Sequence, residues 1–428
     1  MFNVKLGKYA RSVSIIGVGC TPFRETLADP EWTGISEGEL FGYAAIEAMK
    51  DAGIEGKDIQ FFYHGQANPG YTSNYITPAI HVAEWFGTRG IGSQHHSEGC
   101  CTGYLALDLA VNAVASGKYD MVLSGCIDMG SNWCQIGKPA HMRRELDMAE
   151  FMASLPMIYD RAYTRPLEAG MVSGFDDPPE EYQRVYGLTD EQIDDMLNAM
   201  TYANRKNASL NPKAIRRESF DDLAHEAGFE TAKDYLRSPF NPKMSAYLRV
   251  NGTEVRADGA AAVIVCPTEM AREYTDKPIE VLAFGNSCLE ARQVHLERRA
   301  TEEAIRQAYD VSGVTPDEID LLFANDFVIT SQVVAAEAAG YLPKGEGWKF
   351  FIEGRTSYDG DRPINPNGGR TSFGHAHGAS GLADVYEAVH QMRGDCGERQ
   401  VKKLPRTTLL RGFGGGQNVS ATILRTVE

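Results

Sequence analysis

Apolar and polar positions along this chain follow one order twice. Residues 44–63 read AAIEAMKDAGIEGKDIQFFY, and residues 304–323 read AIRQAYDVSGVTPDEIDLLF. At a fixed offset of 260, Ala44 falls on Ala304, Ala48 on Ala308, Gly53 on Gly313, Ile54 on Val314 and Ile59 on Ile319. Phe61, Phe62 and Tyr63 fall on Leu321, Leu322 and Phe323. Each copy predicts an amphipathic helix, a glycine stop, an acidic turn and a short apolar strand.

Further pairs keep the same order. SVSIIGVG near the start resembles IEVLAFGN at 279–286, and AIHVAEWFG (79–87) resembles VVAAEAAG (333–340). CCTGYLALDLAV (100–111) resembles GASGLADVYEAV (378–389), with Gly103 on Gly381. YDMVLSG (119–125) resembles TTLLRGF (407–413), and AAAVIV (260–265) resembles the strand around VSATIL (419–424). Each half therefore predicts strand, helix, strand, helix, strand loop, helix, strand, strand. This is an α/β fold with a mostly parallel sheet covered on its faces. The halves fall at 1–129 plus 248–275 and at 276–428. The excursion at 130–247, inserted between the first half's penultimate and last strands, is rich in Met, Tyr, Arg and Asp. One helix is clear in it: Thr189 caps, Gln192 completes a capping box, and Ile193, Met196, Leu197, Met200 and Ala203 mark the apolar face, with Pro212 closing the neighbourhood. An insertion this long is read as functional.

Composition narrows the class. The net charge of -16 over 428 residues argues against general nucleic-acid binding. No apolar run approaches the ~20 residues of a membrane span. The start, MFNVKLGKYARSVSIIGVGC, predicts a first strand, not a signal peptide, and the ending RTVE is no peroxisomal address. The eight cysteines are Cys20, Cys100, Cys101, Cys126, Cys134, Cys266, Cys288 and Cys396. They form no C-x-x-C pair and no disulfide framework, so no metal site is expected and a reducing cytoplasm fits.

Duplicated halves normally meet about a pseudo-twofold axis. That brings the loop before the helix at Cys100 and Cys101 to the equivalent loop NGGRTSFGHAHGASG, which carries His375 and His377. A helix N-terminus, with about half a positive charge, favours a thiolate over the ordinary thiol pKa of ~8.5. An imidazole nearby takes the proton, and glycines aim N–H groups at a developing oxyanion. Cys20, Cys126, Cys266 and Cys288 sit on strand-like runs and are read as inert.

These residues resemble the thiolases over nearly the whole chain. C-C-T-G matches the nucleophile motif at Cys100, and GHAHGASG matches the histidine motif at His375. YGLTDEQ, ANRKNASLNPKA, SPF, DGAAAVIV and the late RGFGGGQN resemble the sterol-carrier-protein and archaeal branch. The resemblance implies a five-layered α-β-α-β-α core of two thiolase halves, with a loop domain holding coenzyme A as substrate and no resident cofactor. Lys206, Lys213, Arg216 and Arg217 are candidates for its anionic nucleotide. It implies a homodimer, with a small zinc-ribbon/OB-fold protein as a further partner. One oxyanion hole would come from the N–H groups of Cys100 and Gly414, the other from His375 and a water held by Asn325.

Two departures stand out. Thiolases usually carry a second cysteine, in a C-x-G or an H-D-C-F segment; here these read Gly412-Phe413-Gly414 and Asn325-Asp326-Phe327-Val328. The proline of the histidine motif is Ala376. Acid/base work at carbon then falls to His377, Glu98, Tyr104 or the substrate itself. The implied activity is cleavage or formation of a 3-oxoacyl-CoA through an acyl-cysteine, on a bulky or acidic substrate such as 2-benzoylsuccinyl-CoA. The alternatives are acyl transfer to a non-CoA carbon nucleophile and a non-catalytic CoA-binding subunit.

Overall fold

Gly19 and Gly285 carry no side chain because a helix lies directly on them. A Cβ placed on Gly19 would stand 2.1 Å from the Ala44 carbonyl oxygen, and one on Gly285 would stand 1.9 Å from that of Ala304. Each contact presses the first strand of a half onto its first helix. Glu47 and Gln307, equivalent at the same offset, accept the backbone N–H of Cys20 and Asn286 respectively. The doubling seen in sequence is therefore a doubling of contacts.

The computed structural model describes residues 6–26, 28–67, 82–88, 90–129, 175–288, 296–414 and 418–428. The first half runs β1 (Val13–Cys20), α1 (Glu37–Ala52), β2 (Phe61–Gly65), β3 (Gly92–His96), α2 (Thr102–Ala115) and β4 (Val122–Met129). After the insertion, with α3 (Asp177–Tyr186), α4 (Asp190–Ser209), α5 (Phe220–Glu226) and α6 (Ala232–Arg237), β5 (Asp258–Pro267) completes it. The second half runs β6 (Ile279–Cys288), α7 (Leu296–Ser312), β7 (Leu321–Ala324), α8 (Thr330–Ala338), α9 (Ser380–Arg393), β8 (Thr407–Gly414) and β9 (Asn418–Thr426).

The strands join in the order β3-β2-β4-β5-β1-β6-β9-β8-β7, a palindrome of equivalent strands about the β1–β6 junction. There Ser14 pairs with Glu280 and Ile15 with Ile279, antiparallel, as a twofold requires. Two expectations need correcting. The sheet is mixed: β2 pairs parallel with β3 and β4, and β7 with β8, but the pairs made by β1, β5, β6 and β9 are antiparallel. A strand such as β9, entered from β8 without a crossover helix, must run antiparallel to it. The third strand of the second half is reduced to a bridge between Leu322 and Ile364.

Three apolar clusters define the layers. The central one gathers Tyr104, Leu107 and Val111 of α2, Leu382, Val385 and Val389 of α9, and inward residues of both half-sheets. A second lies under α1, and a third under α7 and α8. The result is five layers, α-β-α-β-α, with α2 and α9 in the middle. These two helices touch backbone to backbone at the paired glycines: a Cβ on Gly103 would stand 2.8 Å from Leu382 N, and one on Gly381 would stand 2.9 Å from Tyr104 N.

In the insertion, Thr189 and Gln192 form the expected capping box on α4, and Ile193, Met196, Leu197, Met200 and Ala203 are buried. Residues 130–174, with Cys134, lie outside the described residues. No helix among the described residues is long and apolar enough to cross a membrane.

Candidate functional site

Cys100 occupies a tight turn just before α2. Gly99, with φ 55°, adopts the left-handed conformation that the turn needs. The turn is closed by Cys101 N–H to Glu98 O (3.1 Å), Thr102 N–H to Gly99 O (3.1 Å) and Glu98 N–H to Thr102 Oγ1 (2.8 Å). His375 arrives from the other half, after the wide helical turn Gly369–Phe373. Its backbone is clamped on the strand leading into β5: His375 N–H donates to Val255 O (2.7 Å) and Ala257 N–H to His375 O (3.2 Å).

The twofold does bring the two loops together. Cys100 Sγ lies 3.1 Å from His375 Nε2. The tautomer follows from the other side of the ring. Ser380 donates its hydroxyl to Ala376 O (3.1 Å), so its oxygen accepts from His375 Nδ1, 3.0 Å away. Nδ1 then carries the proton and Nε2 offers a lone pair to the thiol.

The resting charge state departs from the thiolate expected of a helix N-terminus. Burial, then the charge of Glu254, push the Cys100 thiol well above its usual value. Burial, then His377, Arg370 and Arg256, hold the His375 imidazole well below its own. Desolvation is the largest influence on both groups. The pair rests neutral, and proton transfer accompanies attack.

A carboxylate that sequence reasoning missed joins this pair. Glu254 Oε2 lies 3.4 Å from His375 Nε2, and its Oε1 lies 3.7 Å from His377 Nε2. The two rings are 4.5 Å apart. Burial works to raise the Glu254 pKa, but His377 and Arg256 together outweigh it and lower it. Nothing in the run TEVRADGA marks Glu254; its place depends on bridges from Thr253 to Val328 and from Arg256 to His375. Cys100 Sγ and one side-chain nitrogen each of His375 and His377 lie within 4.8 Å of one another, a donor set that a soft divalent cation could also take.

The other candidates divide. Gly414 abuts the Cys100 turn: a Cβ there would stand 3.1 Å from Glu98 O and 3.5 Å from Cys101 N. Asn325 is buried, but its amide donates to Phe413 O (2.9 Å) and accepts from Phe327 N–H (3.2 Å), so it steadies the strand end bearing Gly414. Glu98 is exposed and faces Asn418 (3.3 Å). Tyr104 is sealed between α2 and α9, with its hydroxyl on Asp384, and burial raises its pKa far above the phenol range. Tyr104 is thereby committed to the interior and Glu98 to the surface beside Asn418.

Of the four basic candidates, Lys206 is held by Asp359 (2.8 Å) and Lys213 by Glu47 (3.0 Å). Arg216 and Arg217 are exposed and make no ion pair among the described residues. Their segment pairs with the one leading to His375, through Ile215 N–H to Phe373 O (3.0 Å) and Arg216 N–H to Ser372 O (3.1 Å).

Comparison with known proteins places the chain among relatives of similar length. Residues 286–426 match the family described as thiolase C-terminal domain-like. The chain is 32% identical over 412 residues to an acetyl-CoA acetyltransferase of Methanothermobacter thermautotrophicus, covering 95% of this chain and 97% of the relative. It is 28% identical over 421 residues to the benzoylsuccinyl-CoA thiolase subunit BbsB of Thauera aromatica, covering 96% of each. The solved Ltp2–ChsH2(DUF35) aldolase shares the fold, with a TM-score of 0.72 at 21% identity over 97% of both chains. With that identity to the archaeal enzyme over nearly the full length of both chains, the protein belongs to the thiolase family, on the branch of the archaeal acetyl-CoA acetyltransferases, and is an acyltransferase.

Proposed function

We propose that the chain cleaves or forms a bulky or acidic 3-oxoacyl-CoA, such as 2-benzoylsuccinyl-CoA, through an acyl group on Cys100. The observation that carries this reading is the 3.1 Å contact between Cys100 Sγ and the basic nitrogen of His375. His375 takes the thiol proton as sulfur attacks the β-keto carbon. The C–C bond breaks, leaving acyl-Cys100 and an acyl-CoA, and coenzyme A then takes the acyl group. N–H groups of Cys100 and Gly414 would hold one oxyanion; a lost donor of this kind costs ~10²-fold or more in rate. The second oxyanion would sit at His375, with Asn325 as the candidate holder of a water.

The Thauera relative supports the substrate class. That relative is itself named a subunit, and the solved neighbour is an assembly with a DUF35 protein; both support a partner here, read as a small zinc-ribbon/OB-fold protein beside a homodimer in the cytoplasm. Thiolysis of 2-benzoylsuccinyl-CoA to benzoyl-CoA and succinyl-CoA, followed by chromatography with and without such a partner, is the direct test. No product above a Cys100→Ser background rejects the substrate.

Of the four candidates, Arg216 and Arg217 are the two without an ion pair among the described residues, and we assign them to the nucleotide phosphates. The paired change Arg216→Ala and Arg217→Ala is expected to raise KM for the CoA thioester by about tenfold, with kcat changed by less than about twofold. Charge-assisted contacts remote from the reacting atoms act on binding in this way. An unchanged KM in steady-state assays would assign the nucleotide to other residues.

A further inference from the structure

Both positions where thiolases keep a second cysteine are closed here. A Cβ on Gly412 would stand 2.4 Å from the Tyr104 ring and 2.5 Å from Ser420 Oγ, so no thiol fits. Phe327 fills the other, stacked on Phe413 at 5.8 Å and 8° and set edge-on against Phe175. Yet the backbone beside Phe327 brings in an acid. Glu254 N–H donates to Phe327 O at 2.7 Å, and Thr253 bridges Val328. On its other side the same segment is bonded to the His375 segment, through Val255 N–H to Arg370 O (3.0 Å) and His375 N–H to Val255 O (2.7 Å). Glu254 thus springs from beside the missing thiol and ends its side chain between two imidazoles.

We propose that Glu254, paired with His377, is the acid/base group at the α-carbon of the substrate in place of a second thiol. This rests on the acyl-Cys100 reading above. In cleavage, the Cys100 thiol proton goes to His375 Nε2, and the sulfur bonds the keto carbon. The proton passes to the Glu254 carboxylate, 3.4 Å away. When the C–C bond breaks, its electron pair stays on the α-carbon of the departing acyl-CoA and takes that proton. In the second half, His375 Nε2 takes the thiol proton of coenzyme A as its sulfur takes the acyl group, and returns that proton to the departing Cys100 sulfur. One proton enters and leaves the pair per turnover. In synthesis, Glu254 removes the α-proton. His377 holds the carboxylate from the far side, 3.7 Å away.

Two partial reactions of the full chain, with its partner if one is required, separate the roles. Transfer of the benzoyl group between benzoyl-CoA and labelled CoA needs Cys100 and His375. Deuterium uptake from D2O at C2 of succinyl-CoA, with acetyl-CoA as a second probe, needs the base at carbon. Glu254→Gln is expected to slow deuterium uptake about 100-fold or more while slowing benzoyl transfer less than about tenfold, as removal of a general base does for the step it serves. Glu254→Asp recovers part of the uptake, and His377→Gln repeats the selective loss should Glu254→Gln fail to fold. Equal losses in both reactions would make Glu254 only a support for His375, and unchanged uptake would place the base elsewhere; either overturns the proposal. A wild-type protein that forms no acyl adduct from any probe would instead remove the Cys100 reading, and this role with it.

Discussion

Changing Cys100 to serine is expected to lower thiolysis by about 10⁴-fold without altering the fold. The arithmetic follows from the resting state. His375 is a buried neutral base, weakened by burial and by neighbouring cations. It can take a proton from a thiol, whose ordinary pKa is ~8.5, far more readily than from a hydroxyl. A serine oxygen also sits farther from the ring, because the Cβ–O bond is shorter than Cβ–S. Its acyl ester would then return the acyl group to coenzyme A more slowly than a thioester does. Loss of a nucleophile commonly costs this much where the remaining machinery stays in place. Mass spectrometry of the protein mixed with substrate checks the cause: the wild type should rapidly carry the acyl group on the peptide containing Cys100, and the variant should acquire it far more slowly. Peptide mapping must separate Cys100 from Cys101, which is buried at the start of α2 with its Sγ 3.1 Å from Asn418 O. An adduct on Cys101, or a variant as fast as the wild type, would remove Cys100 as nucleophile.

Much of the framework was legible because it is made of local signals repeated. The offset of 260 that pairs Ala44 with Ala304 recurs as Glu47 with Gln307, each accepting from its own first strand. Gly103 and Gly381 could be paired from sequence because close approach of two helices demands glycine at the same place in both copies. The thiol and imidazole followed from symmetry alone. What escaped has non-local causes. Strand direction at β5 and β9 depends on how the chain returns, which an apolar run does not encode. Lys206 and Lys213 looked available until folding set Asp359 and Glu47 beside them. The sign of the Cys100 shift turned first on burial and then on Glu254, neither of which the local sequence around Cys100 encodes. Glu254 escaped for the same kind of reason: three separate segments, at 253–257, at 325–328 and at 370–375, must meet before its carboxylate reaches a ring.

The joint between the halves should be as sensitive as the nucleophile. Asp384→Ala is expected to destabilise the protein by about 3–5 kcal/mol, read as a lower midpoint in urea. Asp384 on α9 receives both arms of the Arg370 guanidinium, at 2.8 and 2.7 Å, in a site where Arg370 is 0% and Asp384 1% exposed. Asn367 donates to the same carboxylate at 3.0 Å, and so does the Tyr104 hydroxyl from α2. Arg370 N–H is held in turn by Asp326 at 2.7 Å. One carboxylate therefore ties both central helices to the segment that descends to His375. Removing it leaves a guanidinium buried without a counter-charge, the costly way to break such a pair. Replacing Arg370 by methionine together with Asp384 by leucine removes both charges and should recover part of the loss. A single change costing less than about 1 kcal/mol would show that apolar packing of α2 on α9 holds the halves together without the network. The expected cost makes the network what keeps sulfur and imidazole, contributed by different halves, within reach of one proton.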